Sequence, residues 1–209
     1  MSSRHALFAI SLGLFALVVT GCSSSSAGNS GTGSAPCHPT GGASYPTTGC
    51  GTNAGQLIDD YSWKGRLGGL SSPVTTLNMH DYYNPDGSKQ YRYMFITVSA
   101  FWCSACKDEA SHLNDVQSKY GPKGVFVVTD IAQKADQSPA DPNDVDAWIK
   151  AYGLNTGVVT DPDFALSAFF KPSQMPLDLI IDLKTMTIVQ KAIGGALPSI
   201  TAYLDSVTK

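Results

Sequence analysis

Tyr91-Arg-Tyr-Met-Phe-Ile-Thr-Val-Ser-Ala-Phe-Trp-Cys-Ser-Ala-Cys-Lys-Asp-Glu109 decides how this chain folds. Tyr91 to Ser99 is rich in aromatic and β-branched residues, the composition of a buried strand. Beyond it, Cys106, Ala110, Leu113, Val116 and Tyr120 recur at three- and four-residue steps, one face of a helix that Gly121-Pro122 ends. The Trp102–Cys106 run therefore sits where strand gives way to helix. Two cysteines separated by two residues at such a junction can act as a reactive pair. The first thiol meets the positive end of the helix dipole, which favours thiolate, and the second is near enough to close a disulfide. Redox chemistry is the first hypothesis for this unit.

Upstream, Met1 to His5 is a short basic start followed by an apolar run from Ala6 to Val19. That run is short for a transmembrane helix and has the length of a signal-peptide core. Val19-Thr20-Gly21-Cys22 resembles the lipobox of bacterial lipoproteins, which implies cleavage before Cys22, its lipidation and attachment to a bilayer. Residues 1–21 are then a signal peptide. Residues 22–50, rich in Ser, Gly and Thr, read as a flexible tether. Residues 51–209 form one domain, long enough to bury a core. Ser23 after the lipidated cysteine carries no acidic retention signal, which favours the outer membrane, facing the periplasm, or the cell surface. With 14 basic and 17 acidic residues and no Lys/Arg cluster, the chain gives no reason to expect nucleic acid as a partner.

Five cysteines divide among three roles. Cys22 belongs to the anchor and Cys103 with Cys106 to the CxxC. Cys37 and Cys50 remain, and in an exported protein a leftover pair reads most simply as a structural disulfide. Exchange of either with the CxxC is the sharper alternative. A zinc site would need a second CxxC or a His pair at suitable spacing, whereas His38, His80 and His112 are scattered. No metal or other cofactor is expected.

The remaining pattern alternates strands and helices. Asp59–Leu67 and Val74–Met79 suggest early strands, Lys123–Asp130 a buried one, Asp144–Tyr152 a helix stopped by Gly153, and Gly157–Thr160 a short strand. Phe164–Phe170 reads as a short helix, Leu177–Asp182 and Met186–Gln190 as a β-hairpin, and Leu197–Val207 as a closing amphipathic helix. Asp130, Asp161 and Asp182, at strand ends, read as caps and turn residues, and His112 as a solvated helix residue. The order predicts an α/β domain of three layers, α/β/α, with a mixed central sheet and an N-terminal β extension.

In this order, Phe101-Trp-Cys-Ser-Ala-Cys-Lys-Asp-Glu109, Tyr152-Gly-Leu154 with Val158-Val-Thr-Asp161, and Met175-Pro176 with Ile180-Ile-Asp182 resemble the thioredoxin fold. More narrowly they are similar to the TlpA/ResA-like extracytoplasmic thiol–disulfide oxidoreductases of the redoxin superfamily. The resemblance implies that Cys103 attacks and Cys106 resolves, and that Trp102 borders the site. It implies that Pro176 is cis and faces the CxxC, with the Met175 backbone open to a substrate strand, and that Glu109 lies near the thiols as a proton acceptor. Two positions depart from the family pattern. Thr97 stands where thioredoxin has a buried aspartate, and Ser111 where many relatives have a proline, which predicts a straighter helix. The resemblance further implies protein thiols and disulfides as substrates, apocytochrome c among them, a membrane thiol-transfer protein as electron donor, and net reduction. A thiol peroxidase of the peroxiredoxin type is the alternative, but its Thr-x-x-Cys signature is missing, since Ala100 stands three residues before Cys103. A binding or copper-delivery module on the same fold would use CxxxC with a downstream His.

Overall fold

A computed structural model describes residues 35–41 and 44–209. The lipobox, Cys22 and residues 1–34 lie outside the described residues. In chain order the elements begin with β1 (Ala35–Pro36), β2 (Thr48–Cys50), β3 (Ser62–Arg66), β4 (Val74–Asn78) and α1 (Met79–Tyr82). Next come β5 (Tyr93–Ala100), α2 (Ser104–Ala110), α3 (Leu113–Tyr120), β6 (Val125–Gln133), α4 (Pro142–Tyr152) and β7 (Gly157–Thr160). After a 3-10 turn over Ala165–Phe169, the chain closes with β8 (Leu177–Asp182), β9 (Thr187–Ile193) and α5 (Leu197–Val207).

Seven strands form one mixed sheet in the order β4-β3-β7-β6-β5-β8-β9. The central β5, β6 and β7 run parallel, and β3 and β8 flank them antiparallel. Met94 to Ala100 and Val125 to Ala132 are buried without interruption, so both faces of the sheet are covered. That explains why these strands read as continuous apolar runs rather than as alternating ones. β3 is squeezed between β4 and β7 at Gly65, where a Cβ would lie 2.0 Å from the Val158 carbonyl oxygen. Only glycine fits there.

Two boundaries differ from the sequence expectation. The predicted single helix after the CxxC breaks at Ser111–His112, so the helix is not straighter here. Ser111 Oγ donates to the Asp108 carbonyl at 2.6 Å, and the Ser111 and His112 amides bond back three residues rather than four. This tightening interrupts the α pattern, and a hydroxyl competing for backbone causes it as surely as a proline. α4 starts two residues early because Asp141 and Asp144 form a capping box around Pro142.

The larger correction concerns the tether. Described residues 35–41 and 44–50 pack onto the domain instead of standing off it. Tyr45 is only 3 % exposed, its hydroxyl donates to the Ile58 carbonyl at 2.8 Å, and its ring meets Tyr83 edge-on. The backbone amides of His38 and Thr40 donate to the side chains of Asp59 and Asp60. Cys37 and Cys50 are buried and joined in a disulfide. Closing a loop of this size limits the unfolded chain and contributes about 3 kcal/mol on the entropy account. The Cys37→Ser/Cys50→Ser double variant is therefore expected to lose roughly that much stability in urea denaturation. Its reactivity at Cys103 should stay unchanged, as measured by thiol alkylation.

Candidate active site

The dithiol is built where β5 ends. Cys103 occupies the N-cap position of α2, with extended backbone, and its sulfur accepts a hydrogen bond from the Cys106 amide at 3.1 Å. Cys103 and Cys106 are bonded to each other as a disulfide. Cys103 is 5 % exposed and Cys106 1 %. In the disulfide form both sulfurs thus lie against the core.

Three neighbours frame the pair. Trp102 is half-buried and donates through Nε1 to Gln133 Oε1 at 3.0 Å, while the Phe101 amide donates to the Gln133 carbonyl. The indole is therefore held by the end of β6. The Met175–Pro176 bond is cis. β8 pairs with β5 so that Leu177 stands opposite Val98, which brings Met175 and Pro176 to the end of β5 from which the CxxC departs. The Pro176 carbonyl accepts from the Gly194 amide at 2.8 Å, and Gly195 lies against Ala105, inside the CxxC. Both glycines have φ near +80°, a conformation that favours glycine. This glycine turn ties the cis-proline loop to the dithiol helix.

Beneath the helix lies a carboxyl group. Glu109 is 4 % exposed, in the last turn of α2, and three residues past Cys106 it is that cysteine's neighbour on one helix face. Its Oε1 accepts from the Thr97 hydroxyl at 2.6 Å. Thr97, standing where thioredoxin has its aspartate, thus serves as the donor that orients a glutamate. Burial raises the Glu109 proton affinity above that of an ordinary glutamate, and the Thr97 hydrogen bond opposes the shift.

Two further acids are buried in the sheet. Asp178, fully buried on β8, stands directly opposite Thr97. Asp130, expected as a cap or turn residue, is fully buried on β6, and among the described residues neither of its side-chain oxygens has a hydrogen-bond partner. Asp161 and Asp182 do serve turns, accepting from the Leu166 and Lys184 amides. His112 is exposed at the start of α3. Among the described residues no group of three His, Cys, Asp or Glu side chains is arranged to hold a metal ion.

Asp130 gives a pH signature. Burial, with the Asp161 charge adding to it, pushes its carboxyl well above the ordinary range. The native state then keeps a proton that the unfolded chain has lost, so stability falls as pH rises above about 4. Asp130→Asn lacks this loss. Relative to wild type it should gain up to about 1.4 kcal/mol per pH unit until Asp130 ionises in the native state, as read from urea midpoints between pH 4 and 8.

Comparison with known proteins agrees with this geometry. Over 116 residues, 55 % of this chain, the sequence is 28 % identical to the thiol–disulfide oxidoreductase ResA of Bacillus cereus and 25 % identical to that of Bacillus anthracis. The match spans 63 % of the length of each relative. No family model matches the chain. Among solved structures, a Chlorobium tepidum protein assigned as the thiol:disulfide interchange protein DsbE superposes with a TM-score of 0.56 at 18 % identity, covering 76 % of this chain and 99 % of that one. The thioredoxin domain of a Bacteroides vulgatus thiol–disulfide oxidoreductase gives 0.50 at 15 % identity, covering 73 % and 98 %. This chain is a thioredoxin-fold protein related in sequence to the ResA thiol–disulfide oxidoreductases.

Proposed function

We propose that the chain is a thiol–disulfide oxidoreductase that exchanges disulfides with protein substrates and works as a reductant. The observation that carries this reading is the Cys103–Cys106 disulfide capping α2, with the Met175–Pro176 loop tied against it through Gly194 and Gly195. In the reduced protein the Cys103 sulfur, facing the Cys106 amide, carries the thiolate. It attacks a substrate disulfide, one substrate sulfur leaves as thiolate, and a mixed disulfide forms. Cys106 then attacks the Cys103 sulfur, which releases the second substrate thiolate and regenerates the disulfide. Its proton passes to Glu109, one helical turn away. Trp102 and the Met175–Pro176 loop border the substrate groove. The electrons come from a membrane thiol-transfer protein, and substrates of the apocytochrome c class fit the ResA-like reading.

Cys103→Ser should abolish reduction of insulin disulfides, whereas Cys106→Ser should accumulate a covalent mixed disulfide with substrate. Wild-type turnover in both single variants would sink the dithiol mechanism. The reductant assignment requires a midpoint potential on the order of −270 mV; one nearer about −120 mV would make the protein an oxidant.

The lipobox supports export and anchoring through Cys22, with the domain facing the periplasm, on the outer membrane or at the cell surface. Labelled fatty acid should enter the wild-type chain and be lost in Cys22→Ser. Equal labelling of both would exclude the anchor.

A further inference from the structure

The mechanism just described uses one buried carboxyl, yet the structure places two there. Thr97 and Asp178 stand opposite each other in the antiparallel β5–β8 pair, so their side chains leave the sheet on the same face. Thr97 reaches Glu109 on that face. Asp178 is fully buried, and among the described residues neither of its side-chain oxygens meets a hydrogen-bond donor; nor does Glu109 Oε2. Orphaned polar atoms of this kind in a core are costly unless a proton is present to join them. Two carboxyls side by side in a dry site cannot both ionise cheaply, so together they hold a proton that each alone would release.

We infer that Asp178 is a second acid of the redox site, protonated in the resting protein, whose hydroxyl donates to the Glu109 carboxylate and so keeps Glu109 ready to accept the Cys106 proton. The inference rests on the dithiol reading above and adds to it a positioning residue that acts through Glu109. The resolving step then balances as follows. A Cys106–Cys103 sulfur bond forms and the bond from Cys103 to the substrate sulfur breaks. The electron pair leaves with the substrate thiolate, and the Cys106 proton goes to Glu109 Oε2. Electrostatics agree in direction. Burial and the neighbouring Glu109 charge raise Asp178 well above the ordinary range, while the contact with Asp178 lowers Glu109. The Thr97 hydroxyl donates to Glu109 and favours the carboxylate there, so the shared proton sits on Asp178 and Glu109 is the base.

The pair also has an exit. Glu109 forms part of the wall of a cavity of about 560 Å³ between α2–α3 and α5. Charged or titratable groups lining it are Asp108, His112 and Asp115, all from the α2–α3 side; the Asp108 charge raises Glu109 and His112 lowers it. α5 contributes Leu197, Pro198 and Thr201, none of them charged. The dithiol is the other titratable neighbour, and Asp178 is the carboxyl that the sheet supplies. A proton taken up by Glu109 can pass to water along this cavity without crossing the substrate face.

Two measurements on the full chain test the inference. In infrared difference spectra of the oxidised protein, wild type minus Asp178→Asn should show the band of a neutral carboxyl at pH 7. Glu109→Gln should move the midpoint of that band to lower pH. The resolving step can be read as the second thionitrobenzoate release, the one that follows Cys103 attack, after mixing reduced protein with Ellman's reagent. Asp178→Leu should shift the half-maximal pH of that release upward by at least one unit, and Asp178→Asn, which still donates, should restore it. An ionised Asp178 at pH 7, or an Asp178→Leu profile identical to wild type, would overturn the inference. If Asp178→Leu does not fold, the infrared difference decides. Insulin reduction separates the two proposals. Its absence in wild type, with both carboxyl readouts as expected, would remove the substrate reading and leave the acid pair standing. Its presence without them would do the reverse.

Discussion

The antiparallel pairing of β5 with β8 is the constraint on which the site depends. It joins segments about eighty residues apart in the chain and runs unbroken from Tyr93–Asp182 to Val98–Leu177. At one end it delivers the dithiol and the cis-proline loop to the same edge. In its middle it places Thr97 beside Asp178, under the helix that carries Glu109. A slip of one residue would turn every side chain of β8 to the opposite face and separate both sets. In β8 the buried polar residue is Asp178, which such a slip would carry to the face opposite Thr97.

What was legible in the sequence was mostly local. The strand–CxxC–helix junction, the hairpin after Pro176 and the closing helix each announce themselves through periodicity and punctuation, and the structure contains all three. The break in the CxxC helix is invisible in the sequence because an apolar spacing of three and four continues through Ser111, whose hydroxyl competes for the backbone without altering that spacing. The packing of the segment before residue 50 is hidden in the sequence for a different reason. Its composition is that of a linker, and a few long-range contacts override it: one buried tyrosine, one disulfide and two backbone-to-aspartate bonds. Composition averages over such contacts.

The buried acids were the hardest to see. Leu177-Asp-Leu-Ile-Ile-Asp182 looks like a hairpin strand whose aspartates mark polar positions, and for Asp182 that is correct. Asp178 differs only in what lies across from it, which a single strand cannot reveal. The signal that could have found it is the departure already visible at Thr97. Where a dithiol site lacks its usual strand carboxyl, the neighbouring strands are the place to seek one. Keeping Glu109 and Asp178 in the core costs stability above the ordinary carboxylate range.

In the proposed cycle Cys103 and Cys106 divide the work, one attacking and one resolving. The most direct measurement is the rate of iodoacetamide alkylation at each cysteine of the reduced protein across pH, resolved by peptide mass. The account predicts that Cys103 reacts at least about tenfold faster than Cys106 at neutral pH, with a midpoint below the ordinary thiol value of about 8.5. Equal rates, or faster modification of Cys106, would contradict it.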